Sequence, residues 1–88
     1  MKRSIYKYSL EDRVVSIQKN ARILKVGMQD GIPCLWASVD PDAERETREF
    51  SILGTGSLIP DRWEYVGTMF ERQYVWHVYE TFGQPMEE

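Results

Sequence analysis

The sequence predicts a mostly β fold, a small antiparallel sandwich or partly open barrel of about six to seven strands. Three observations carry that expectation. Short runs rich in Val, Ile, Tyr and Trp recur along the 88 residues, separated by turn signals at close spacing. Hydrophobic residues make up 42% of the chain, enough for one core and too many for a disordered segment. Several runs alternate apolar and polar residues with the period of two expected of a half-buried strand.

Ser4 to Leu10 alternates, with Tyr6, Tyr8 and Leu10 on one face. Arg13 to Ile17 is a short β-branched run, and Lys19-Asn20 supplies a turn after it. Ser9-Leu10-Glu11-Asp12 also resembles a helix capping box, which makes a helix over residues 10–18 the competitor. Val14, Val15 and Ile17 favour strand. Arg22 to Met28 places Leu24, Val26 and Met28 on one face, and Gln29-Asp30-Gly31 follows. Asp-Gly between two apolar runs is a hairpin signal, because both residues tolerate positive φ. Ile32 to Val39 is the second arm. Both of its faces are apolar, so it is expected to be central.

Asp40-Pro41 closes that strand, since proline lacks the ladder donor. Asp42 to Glu49 reads as a charged connection with room for one short helical turn near residues 41–48. Phe50 to Leu53 is a strand running into Gly54-Thr55-Gly56, and Ser57 to Trp63 is a loop. Glu64 to Glu71 and Gln73 to Thr81 are the last two strands, a hairpin through Glu71-Arg72. Residues 1–82 form a single β domain on this reading, and residues 83–88 a frayed tail. A single sheet would leave a bare apolar face for a second copy to cover, so a homodimer is a further expectation.

Cys34 is the only cysteine, which excludes an intrachain disulfide, and its apolar strand suggests a buried structural thiol. No apolar run of signal-peptide or membrane-span length follows the basic start MKRSIYKYSL, so the expected compartment is the cytoplasm. Net charge is −3, but unevenly spread: residues 1–30 carry +4 and residues 31–88 carry −7. The acidic total argues against a dedicated nucleic-acid binder.

Four features have chemistry to offer. His77 is the only histidine; a lone imidazole without an orienting partner is better read as a hydrogen-bonded residue of the sheet than as a base. Gly54-Thr55-Gly56-Ser57 has backbone donors that can cradle an anion, yet lacks the lysine and glycine spacing of the phosphate loops, so a strand-end turn is the plainer reading. Asp40, Asp42, Glu44 and Glu46 alternate as calcium ligands do, but the segment lacks the glycine of the calcium loop, and Arg45 and Arg48 interleave. No nucleophile elbow and no matched carboxylate pair is present, so an enzyme is not expected, nor a metal or cofactor. The many Tyr and Trp residues favour binding. Trp63 with Arg62, together with the acids Asp40, Asp42 and Glu44, is the expected protein contact, with Trp63 exposed. A ligand site would use Gly54, Thr55, Gly56 and Ser57 with Arg48 or Arg62 supplying charge, and His77 adjoining.

The blocks Ile5-Tyr6-Lys7-Tyr8, Ala21-Arg22-Ile23-Leu24, Leu35-Trp36-Ala37 with Val39-Asp40-Pro41, Phe50-Ser51-Ile52 with Gly54-Thr55-Gly56, Tyr65-Val66-Gly67-Thr68 and His77-Val78-Tyr79-Glu80 follow one another over residues 4–80. In this order and spacing the chain resembles a family of short proteins encoded mainly by bacteriophages, to which no biochemical activity is assigned. Members of that family often carry a proline and small residues before the Ala-Arg-Ile-Leu block, where Gln18-Lys19-Asn20 stands here. The resemblance implies a phage accessory protein in the cytoplasm of an infected bacterium, binding a host protein. The alternatives are a binder of a small ligand or nucleotide signal and a minor virion component.

Overall fold

The computed structural model describes residues 2–84. Seven strands occupy them: β1 (Ser4–Ser9), β2 (Val14–Gln18), β3 (Arg22–Gln29), β4 (Ile32–Val39), β5 (Arg45–Gly54), β6 (Glu64–Glu71) and β7 (Tyr74–Glu80). No helix occurs among the described residues. The strands form two antiparallel sheets, a three-stranded one in the order β1-β4-β3 and a four-stranded one in the order β2-β5-β7-β6. The result is a sandwich, with extents of 42 × 29 × 18 Å.

Each sheet hides one face. Alternation sends Leu35, Ala37 and Val39 of β4 inward, with Val26 of β3 and the half-buried Tyr8 of β1. Val15, Ile17, Phe50, Met69 and Val78 meet them from the other sheet. Leu10 is wholly buried beyond the end of β1, its amide donating to the Pro33 carbonyl at 2.7 Å. Burial of these side chains is the main favourable contribution to the fold, at about 2 kcal/mol for each large aliphatic group. Tyr8 donates its hydroxyl to the Gln18 side chain, and burial pushes its phenol above the ordinary tyrosine value.

The turns obey local chemistry. Asp30 and Gly31 both have positive φ, 52° and 79°, which gives the two-residue hairpin whose twist matches the strands it joins. Asn20, at φ 62°, turns the chain from β2 into β3 and so from one sheet to the other. Residues 10–18 are strand-bearing rather than helical, as the β-branched residues require.

One region differs from expectation. Residues 41–48 hold no helical turn, and β5 begins at Arg45, five residues before Phe50. Asp40 accepts from the Asp42 amide at 3.0 Å and its carbonyl from the Ala43 amide at 3.1 Å, making a tight turn. From Arg45 the backbone then pairs with β2. Charged residues enter this strand because Arg48, on the inner side, finds Glu80. Its guanidinium donates to both carboxylate oxygens at 2.8 and 2.7 Å and to the Ala21 carbonyl at 2.9 Å.

The two sheets approach most closely where β3 meets β6, at Gly67. A Cβ there would lie 2.6 Å from Cγ2 of Val26, so any larger residue must push Val26 aside. Bulges fall at this meeting, between Ile23 and Lys25 and between Tyr65 and Gly67. On the opposite side β1 and β2 touch lightly, and the sheets do not close into a barrel. Gly83 and Gln84 are held to the domain, the Gln84 amide donating to the Thr81 carbonyl at 2.8 Å. The rest of the tail expected to fray, residues 85–88, lies outside the described residues.

Candidate functional site

The outer face of the four-stranded sheet gathers most of the chemistry. β7 turns Trp76, Val78 and Glu80 inward and Val75, His77 and Tyr79 outward. Opposite them β6 presents Phe70 against Val75, Thr68 against His77 and Tyr65 against Tyr79. β5 places Leu53 beside His77 and Ser51 beside Tyr79 on the other flank. Past β5 the chain turns at Gly56, φ 97°, with the Ser57 amide donating to the Gly54 carbonyl at 3.2 Å. Gly54, Thr55, Gly56, Ser57 and Ile59 then wall a cavity of about 200 Å³, completed by Leu53, His77 and Tyr79.

His77 is held from both sides. Nε2 lies 3.1 Å from the Thr55 hydroxyl, and Nδ1 lies 3.2 Å from the Thr68 hydroxyl. The Tyr65 hydroxyl continues the chain, 2.6 Å from Thr68 Oγ1. Tyr65 and Tyr79 meet edge to face with centroids 5.5 Å apart. Among the described residues no carboxylate bonds the imidazole, and the two threonine hydroxyls fix the ring. Around it the surface is apolar and open: Phe70 is 71% exposed and Leu58 86%, with Tyr65 and Ile59 exposed as well. Such a patch, with a cavity the size of one side chain at its centre, has the character of a contact surface.

The structure brings Gly54, Thr55, Gly56, Ser57 and His77 together around this cavity. Arg48 does not join them; it lies on the inner side of the same sheet, and its bidentate bond to Glu80 holds the guanidinium above its ordinary pKa. The expected exposure of Trp63 is corrected. Its side chain is buried, 8% exposed, and its indole N–H donates to the Gln84 carbonyl at 2.9 Å. A large aromatic ring in a proline-bearing loop satisfies itself here by pinning that loop onto the domain. Arg62 is exposed and reaches Gln84 at 3.4 Å. Asp40, Asp42 and Glu44 belong to another connection, where Asp40 closes the turn and Glu44 pairs with Lys19 at 3.2 Å. Cys34 is buried, as its strand position implied.

Sequence reasoning missed Phe70, Leu58, Ile59 and Thr68. The bulge between Tyr65 and Gly67 shifts the alternation, so Tyr65, Thr68 and Phe70 share a face that strict counting would have divided. No curated protein and no solved structure matches the chain. Residues 1–87 match one family model, and the chain therefore belongs to the family described as a domain of unknown function, DUF7352.

Proposed function

We propose that this chain is a phage-encoded, non-enzymatic accessory module that acts in the cytoplasm of the infected bacterium by gripping a host protein and modulating it. The observation that supports this reading is the outer face of the four-stranded sheet, where Tyr65 and Phe70 stand exposed and where His77, Tyr79 and Ile59 line a cavity that accepts one partner side chain, with Leu58 exposed in the adjoining loop. Tyrosine and large apolar groups clustered about a small pocket are the usual anchors of a protein interface. The order of sequence blocks supports the phage origin, and the ring of His77, held by two neutral hydroxyls, supports binding over turnover.

Phe70→Glu and Leu58→Glu test it. Both side chains are exposed, so the fold should survive, and each variant should weaken a complex captured from nuclease-treated bacterial lysate by about thirtyfold or more. Capture unchanged by both substitutions would remove this face from the proposal.

A second reading has its own support. The cavity collects Thr55, Ser57 and the backbone of Gly56 beside His77, which suits a small polar ligand. No lysine or arginine lines it, so a neutral ligand fits better than a nucleotide phosphate. Calorimetric titration with nucleosides and nucleotides separates the two, and silence across the panel would leave the protein-binding reading alone.

A further inference from the structure

The charge imbalance along the chain becomes a spatial one in the fold. β1, β3 and β4, which make the whole three-stranded sheet, contain Lys7, Arg22 and Lys25 and no carboxylate. Register places all three cations on the outer face. Lys7 and Lys25 stand directly across from Trp36 on either side, and Arg22 stands across from Ser38. Arg3, just before β1, reaches the same face, donating to Ser38 Oγ at 2.8 Å and to the Ser38 carbonyl at 2.7 Å. All four cations are exposed. The ion pairs found among the described residues, Lys19–Glu44 and Arg48–Glu80, involve none of them.

At the centre of this face lies an aromatic ring. Trp36 is half-buried, and a Cβ on Gly27 would meet its ring at 3.7 Å, so the indole leans over the glycine of the neighbouring strand. The Lys7 ammonium crosses the central strand to bond Gln29 on the far one, an exposed contact that a competing anion can displace. A ring on a sheet surface, flanked across both neighbouring strands by cations, can stack on a base while the cations meet the phosphates beside it. The net charge of −3 counts against nucleic acid only if charge is spread evenly, and here it is not.

We propose that the outer face of the β1-β4-β3 sheet docks single-stranded nucleic acid, with Trp36 stacking on a base and Arg3, Lys7, Arg22 and Lys25 pairing with the phosphates. The site is on the opposite side of the sandwich from the aromatic patch and does not depend on it.

The test is fluorescence anisotropy of a dye-labelled oligothymidylate with the full chain, titrated between about 50 and 200 mM salt. Four phosphate contacts predict a slope of log affinity against log salt of about −3, from about −0.7 per contact on single strands. The double variant Lys7→Glu with Lys25→Glu should bind at least about tenfold more weakly with a shallower slope. Trp36→Phe should lose most of the tryptophan quenching that the oligonucleotide causes, while keeping the slope. A thermal melt of each variant separates loss of binding from loss of fold. Absence of binding at the lowest salt overturns the proposal. So does binding that survives the charge reversal, or equal affinity for duplex DNA or polyglutamate, which would mark an unspecific electrostatic surface.

Discussion

Arg48 and Glu80 show what a single residue pair does here. Their side chains are 19% and 8% exposed, and the pair supplies two charge-assisted bonds in a partly dry site. Removing one partner strands the other, so Glu80→Gln or Arg48→Met should each cost about 3 kcal/mol in urea unfolding, the low end for buried pairs because Arg48 keeps some water contact. Replacing both, as Arg48→Met with Glu80→Leu, should recover most of that loss. The upward shift of Arg48, caused first by its bond to Glu80, contributes stability that is fully present below the ordinary arginine range. It is lost only as pH rises through the shifted value, so titration of this arginine will not weaken the fold near neutrality. Nothing at Arg48 in the sequence announced this role. A charge at an inward position is legible only once its partner, 32 residues away, is known.

At the scale of strands, Gly67 governs how β3 lies against β6. Gly67→Ala forces its methyl toward Val26 Cγ2 and should destabilise by about 1–3 kcal/mol. In the background of Val26→Ala the same change should cost much less, a coupling read from a double-mutant cycle in denaturant. The strands themselves were largely legible: the Asp30-Gly31 hairpin, the two-faced apolar run of β4 and the alternation of β7 follow from residue chemistry alone. The first half of β5 was not, because Arg45 to Glu49 carries the composition of a loop while pairing as a strand. Trp63 was misread for a related reason. Loop position suggested exposure, whereas the ring is covered and bonded to the backbone of Gln84.

For the whole molecule, the sheet orders β1-β4-β3 and β2-β5-β7-β6 are set by packing between distant segments, which no local pattern encodes. The candidate site shares that limit. The sequence named Gly54 to Ser57 and His77 without the means to show that they meet, and the bulge in β6 hid Phe70 from any count by twos. Charge behaved likewise: the excess of cations in the first thirty residues acquired a direction only when β1, β3 and β4 came together as one layer.

The turn at Asp40–Ala43 has one more consequence. Everything before it belongs to the three-stranded sheet except β2, which crosses over and completes the other sheet beside β5. A chain cut within this turn yields two pieces that each lack a strand's worth of cover: the first carries β2 with nothing to pair it, and the second exposes the flank of β5. Apart, each piece has an apolar surface it cannot hide. The pairing of β2 with β5 across the cut is the contact that would rejoin them, so two separately made halves, mixed, should recover the β-sheet circular-dichroism signal that each lacks alone.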